Sequence, residues 1–259
     1  MSPVEVAHRA DGNGPPLFLV HGIGGRMNVW DGIVPGLAPH FTCIRYDLRG
    51  HGESPAPPPP YSLAQMVNDL EGLRRKLGFE KIHIAGHSLG GMIAPAYARA
   101  HPQRALSLAL LSTAAGRSGG DRTKLRALGE AMETRGVAAT AGEFVARWFT
   151  EDFIKSNPDA VEARLKQVLE TPPEIFKSVF WLYAQTEMAA WLNEVACPCL
   201  VLTGALDRGC SPKLNVFIAR ELPNAELAVL DGLKHSILLE APGRVLAPLQ
   251  KFLRAAPEQ

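Results

Sequence analysis

The 259-residue chain carries 27 basic and 26 acidic side chains, a net charge of +1, and is 46% hydrophobic. That is an ordinary globular composition, enough for one large α/β domain or two small ones. It lacks the charge bias expected of a protein that binds nucleic acid or an anionic membrane surface. No run approaches the roughly 18 apolar residues of a membrane span, and Met1 to Gly14 has no apolar signal-peptide centre, so a cytoplasmic location is expected. Cys43, Cys197, Cys199 and Cys210 form no C-x-x-C pair. They read as reduced structural thiols, with no metal site.

Short apolar runs alternate with longer helical patterns, which predicts βαβ units and a mostly parallel sheet. Only Val4–Ala7 precede the turn-like Asp11–Gly14, so the first strand is expected to be nearly absent. Leu17–Val20 and Phe41–Tyr46 follow, then a surface loop with five prolines between Pro55 and Pro60. Ser62 and Gln65 form a capping box before a helix carrying Leu63, Met66, Val67, Leu70 and Leu77, which Gly78 ends. The strand Ile82–Ala85 leads into Gly86-His87-Ser88-Leu89-Gly90-Gly91 and a helix that contains Pro95. Leu106–Leu111 is the next strand. From about Gly116 to Leu192 only helical patterns appear, a helical insertion that reads as a lid. The strands Leu200–Leu202 and Leu227–Leu230 flank a helix that Ser211-Pro212 starts, and Val245 to Leu253 form a last amphipathic helix. The expected division is a core at 1–115, a lid at 116–192 and the rest of the core at 193–259.

Gly86-His87-Ser88-Leu89-Gly90 is G-x-S-x-G between a strand and a helix, the setting in which a serine sits on a tight, strained turn. A serine hydroxyl needs a base to become a nucleophile. In this arrangement the acid and then the histidine follow in chain order. His235, in the loop after Leu227–Leu230, is the expected base, whereas His101 before Pro102 suits a helix end. Asp207 follows the strand Leu200–Leu202 and is favoured as the acid; Asp231 is its rival. The backbone N–H groups of Leu89 and of Ile23, in the loop His21-Gly22-Ile23-Gly24-Gly25, are the candidate oxyanion donors. Gly22-Ile23-Gly24 with Asp47 about 20 residues on imitates a dinucleotide fingerprint, but Met27 stands at the third-glycine position. No cofactor is expected.

His21-Gly22, Asp47-Leu48-Arg49-Gly50-His51-Gly52-Glu53-Ser54, Gly86 to Gly91, Asp207 and His235 together resemble the α/β-hydrolase superfamily over essentially the whole chain. Within it the chain resembles the 3-oxoadipate enol-lactonases. That likeness rests on Arg26-Met27-Asn28-Val29-Trp30, Arg45-Tyr46-Asp47, Leu89 to Ile93, Arg147-Trp148-Phe149-Thr150, Phe153, Arg164-Leu165 and Thr171-Pro172-Pro173. The resemblance implies an α/β-hydrolase fold, a mostly parallel twisted sheet flanked by helices. It also implies cofactor-free hydrolysis of a small acidic lactone or ester through an acyl-enzyme. Alternatives are C–C bond hydrolysis in a ring-cleavage pathway and a ligand receptor on a hydrolase scaffold. The expected partner is a small molecule, not nucleic acid or membrane. Gly22, Arg26, Trp148 and Trp181 are candidate substrate-binding residues, with Arg147 and Trp191 as further pocket candidates. Arg26, on the oxyanion loop, offers a cation for a substrate carboxylate.

Overall fold

The computed structural model describes residues 3–256. Seven strands, β1 (His8–Asp11), β2 (Pro16–Val20), β3 (Thr42–Tyr46), β4 (Ile82–His87), β5 (Ala105–Leu111), β6 (Cys199–Gly204) and β7 (Ala225–Leu230), form one sheet in the order β1-β3-β2-β4-β5-β6-β7. All neighbours are parallel except the β1–β3 pair. Successive side chains of a strand face opposite sides, and here both sides are covered. Phe18, Val20, Ile44 and Ile84 enter one core with the helices Leu63–Lys76 and Gly90–Ala100. Leu17, Leu19, Cys43 and Ala85 enter the other with Trp30 and the helix Pro242–Ala255. This two-sided burial explains why the central strands read as unbroken apolar runs.

The expectation of a nearly absent first strand is corrected. His8–Asp11 pairs antiparallel with β3, later in the chain than Val4–Ala7. The pairing lies on residues with no apolar alternation, His-Arg-Ala-Asp, because β1 is a half-exposed edge held by its ladder and by an Asp11–Arg45 ion pair. The Ser62–Gln65 capping box forms as expected.

Between β5 and β6 the chain makes five α-helices, Gly119–Arg135, Val137–Trp148, Glu151–Ser156, Pro158–Glu170 and Pro173–Gln185. Their boundaries are written locally. Ser118 and Asp121 form a reciprocal capping box, Thr150 caps the third helix, and Pro158 and Pro173 occupy first turns. Leu128, Met132, Phe144, Val168, Phe176 and Phe180 give this insertion an apolar core of its own, over the ends of β4 and β6 where Ser88 and Asp207 stand.

Candidate active site

Ser88 stands between β4 and the helix Gly90–Ala100 with φ of 57°, left-handed backbone that a serine rarely adopts. Such strain costs on the order of 1–3 kcal/mol and persists where the surroundings impose it. Here a Cβ on Gly86 would lie 2.1 Å from the Gly90 carbonyl oxygen, and one on Gly90 2.1 Å from that of Val20. Only glycines allow the strand, turn and helix to close this tightly. The turn is pinned to its neighbour as well: Ser88 N–H donates to Leu111 O at 2.8 Å, and Thr113 Oγ1 donates to Ser88 O at 2.9 Å.

Asp207 and His235 arrive from the ends of β6 and β7. His235 Nδ1 lies 2.7 Å from Asp207 Oδ2, while Asp207 Oδ1 accepts from the N–H groups of Gly209 (2.9 Å) and Cys210 (2.8 Å). Gly204 lets the two loops meet, since a Cβ there would fall 2.3 Å from Lys234 O. Burial alone would raise the Asp207 carboxyl, but His235 and the two N–H donors hold it below the usual carboxylate range. On His235 burial acts downward and is outweighed by Asp207, so the imidazole is raised above its ordinary value. Asp231, the rival acid, is exposed; its backbone oxygen accepts from Arg244. His87 Nε2 donates to His235 O at 3.0 Å, and burial lowers His87 to about 3.

The loop after β2 is held by two buried neutral histidines. His21 Nδ1–H donates to Gly22 O at 2.8 Å, and its Nε2 accepts from Leu48 N–H at 2.9 Å. His51 Nδ1–H donates to Arg49 O, and its Nε2 accepts from Gly24 N–H at 3.0 Å. An imidazole that donates at one nitrogen and accepts at the other is uncharged, in keeping with burial lowering His21 to about 4 and His51 to about 3. Gly22 O also accepts from Gly25 N–H. In a trans peptide the N–H points opposite the carbonyl, so these bonds turn the Ile23 N–H away from the loop. Among the described residues neither Ile23 N–H nor Leu89 N–H donates to another protein group. Gly22 borders the serine directly, because a Cβ there would approach Ser88 Cβ to 2.9 Å.

Ser88, Asp207, His235, Gly22, Ile23 and Trp148 all line one cavity of about 100 Å³ whose remaining wall is mainly apolar, including Leu125, Phe144, Phe176 and Leu238. Two substrate-binding candidates lie elsewhere. Arg26 is half-exposed and ion-paired with Glu170, because the 3₁₀ turn Met27–Trp30 carries its side chain to the outer face. Trp181 packs over Gly129 and donates to Glu133 Oε1 at 3.1 Å; on its helix Phe176, Phe180 and Tyr183 take the cavity face instead. Trp191 likewise lies outside, beneath Arg99.

Arg164, from the helix Pro158–Glu170, is a cation of the cavity wall that sequence reasoning did not single out as a site residue. It donates to Gly24 O (2.6 Å) and Ile23 O (2.9 Å) and stacks on Trp148 at 4.4 Å. Among the described residues it pairs with no carboxylate, and burial lowers it to about 10. Arg147 lines both the cavity and the adjoining outer cleft, where Lys124, Arg208 and Lys234 outnumber Glu143 and Glu151.

The family described as alpha/beta hydrolase fold matches residues 15–159. A 3-oxoadipate enol-lactonase of Acinetobacter baylyi is 26% identical over 228 residues, 88% of this chain and 84% of the relative. The (E)-2-((N-methylformamido)methylene)succinate hydrolase of the same organism is 26% identical over 255 residues, 95% of this chain and 93% of the relative. A thermophilic esterase from Thermogutta terrifontis, solved with malate bound, superposes with a TM-score of 0.88 at 31% identity, covering 97% of this chain and 93% of the esterase.

Proposed function

The chain belongs to the α/β-hydrolase fold family, with relatives that include hydrolases, and on that premise we propose that it is a serine hydrolase of small carboxylic esters or lactones. The observation that carries the reading is the convergence on one apolar cavity of a strained Ser88, the 2.7 Å Asp207–His235 pair and Ile23, whose N–H, like that of Leu89 next to Ser88, is uncommitted. Ser88 Oγ attacks the carbonyl carbon as His235 Nε2 takes its proton. The Ile23 and Leu89 N–H groups receive the oxyanion, and Asp207 holds the imidazole tautomer and stabilises the imidazolium. Collapse expels the alcohol, or opens the lactone, with the proton returned by His235; water then cleaves the acyl-enzyme by the same route.

The substrate is small and acidic in this reading. A cation left without a carboxylate in an apolar wall is costly unless a ligand supplies one, and Arg164 takes the role expected of Arg26. Acidic groups also recur in the relatives: an oxoadipate lactone, a methylenesuccinate and a bound malate. The helices of the 116–192 segment act as the lid over the cores at 1–115 and 193–259. Among the described residues no helix is long and apolar enough to cross a membrane, and the four cysteines are unpaired. A cytoplasmic site of action, with a small-molecule partner, is part of the proposal.

Ser88→Ala decides the matter. Turnover of p-nitrophenyl acetate and of small acidic lactones should fall by about 10⁶-fold, because members of such a triad act as a unit. The wild type should be labelled on Ser88 by a fluorophosphonate. A folded Ser88→Ala protein with near-normal turnover refutes the assignment.

A further inference from the structure

Cys210 follows Asp207 by three residues and reaches into the same cavity, yet the hydrolytic reading gives its thiol no task. Its Sγ, a carboxylate oxygen of Asp207 and a ring nitrogen of His235 all lie within 4.8 Å of one another. Asp207 and Cys210 are 2% and 1% exposed. We propose that Asp207, Cys210 and His235 form a binding site for a thiophilic divalent cation, Zn²⁺ above all, whose occupation arrests the enzyme.

The donor set suits such an ion. Thiolate, imidazole and carboxylate are the ligands Zn²⁺ takes, at about 2.0–2.3 Å, so the 2.7 Å Nδ1–Oδ2 contact has to open by only about half an ångström. Two of the ligands are negative, which leaves a buried dication neutralised. The surrounding groups already orient the donors, as the outer contacts of metal sites do. The N–H groups of Gly209 and Cys210 fix one Asp207 oxygen, and the Tyr183 hydroxyl lies 3.2 Å from the Cys210 sulfur. The fourth position is left to water.

Binding changes the tautomer of His235. The neutral ring holds its proton on Nδ1, against Asp207. A metal on Nδ1 displaces that proton to Nε2, and the thiol proton leaves to solvent, so one proton is released per ion from the neutral ring and two from the imidazolium. With Nε2 protonated, nothing accepts the proton of Ser88, and hydrolysis stops. The effect on turnover rests on the hydrolase reading; the binding itself does not.

Two measurements separate them. Titration of the whole protein with Co²⁺ should give a sulfur-to-cobalt charge-transfer absorption that saturates at one ion per chain. Titration with Zn²⁺ during ester hydrolysis should abolish turnover, reversibly with chelator. Cys210→Ser retains the backbone N–H to Asp207 and a hydroxyl for Tyr183. It should lose the charge-transfer band and be inhibited at least about 100-fold more weakly, since even outer-shell changes cost roughly 10–100-fold in metal affinity; Cys210→Ala should match it. Absence of the band in wild type, or variants that zinc inhibits as strongly as wild type, overturns the site. A band without any hydrolase activity upholds the site and refutes only the hydrolytic reading.

Discussion

Burial of the His235 ring disfavours its cation and the Asp207 carboxylate favours it, and the carboxylate wins. A base must be unprotonated to act, so kcat/KM should climb with pH along a limb lying above the ~6.5 of an ordinary histidine. Asp207→Asn removes the charge and leaves the burial. Its limb should move to below ~6.5 while turnover falls by about 10⁴-fold, as the tautomer is no longer held. Asp231→Asn should alter neither quantity, because that side chain is exposed beyond β7. Profiles of the three proteins with one activated ester give the answer. An unmoved limb in Asp207→Asn would mean that some other group sets the proton affinity of the base.

The elements meet at Arg164, where a helix of the insertion grips the loop after β2. Two charge-assisted hydrogen bonds to the Ile23 and Gly24 carbonyls fix the peptide planes beside the candidate oxyanion donor. Arg164→Met keeps an apolar stem over Trp148 and loses both bonds. With charged hydrogen bonds worth about 1.5–3 kcal/mol, kcat on neutral esters should fall by roughly 10–100-fold with KM little changed. An acidic lactone should lose the same kcat and also bind more weakly, so the preference for acid over methyl ester disappears. A surviving preference would place the carboxylate on another cation, such as Arg147. This residue also marks the limit of what the sequence could tell. Ser88, Asp207 and His235 were legible because strand ends and a glycine-framed turn put them at one edge of the sheet. Arg26 drew attention by adjacency in the chain, whereas the cavity is assembled by the packing of Pro158–Glu170 against the loop after β2, a contact 140 residues apart that no local pattern encodes. Phase misled as well: Trp181 lies one residue beyond Phe180 on its helix, and the ~100° per residue of an α-helix turns it from cavity to surface. β1 was missed because edge pairing needs no apolar alternation.

At the scale of the whole molecule, four histidines are buried and uncharged. Burial brings His21 and His83 to about 4 and His51 and His87 to about 3. Each would titrate near ~6.5 in the unfolded chain. Below that pH the unfolded state binds protons that the folded state refuses, so stability is lost as pH falls from about 6.5 toward 4. His235, raised by Asp207, is protonated in both states over this range and adds nothing to the slope. Four such groups give up to about 5 kcal/mol per pH unit, against a total stability of roughly 5–15 kcal/mol for a typical domain. The protein should therefore lose stability steeply as pH falls from about 6.5 toward 4, with uptake of about four protons on unfolding. His83 tests the count away from the active site, since its Nδ1 meets Ser107 Oγ at 2.8 Å between β4 and β5. Replacing both partners, His83→Leu with Ser107→Ala, removes one buried titrating group without orphaning the other polar atom. The acid midpoint of the double variant should move down, and its proton uptake on unfolding should drop by about one. Circular dichroism across pH, with unfolding measured by urea at each step, gives both numbers. An unchanged slope below pH 6.5 would show that His83 does not resist protonation in the fold and would remove it from the count.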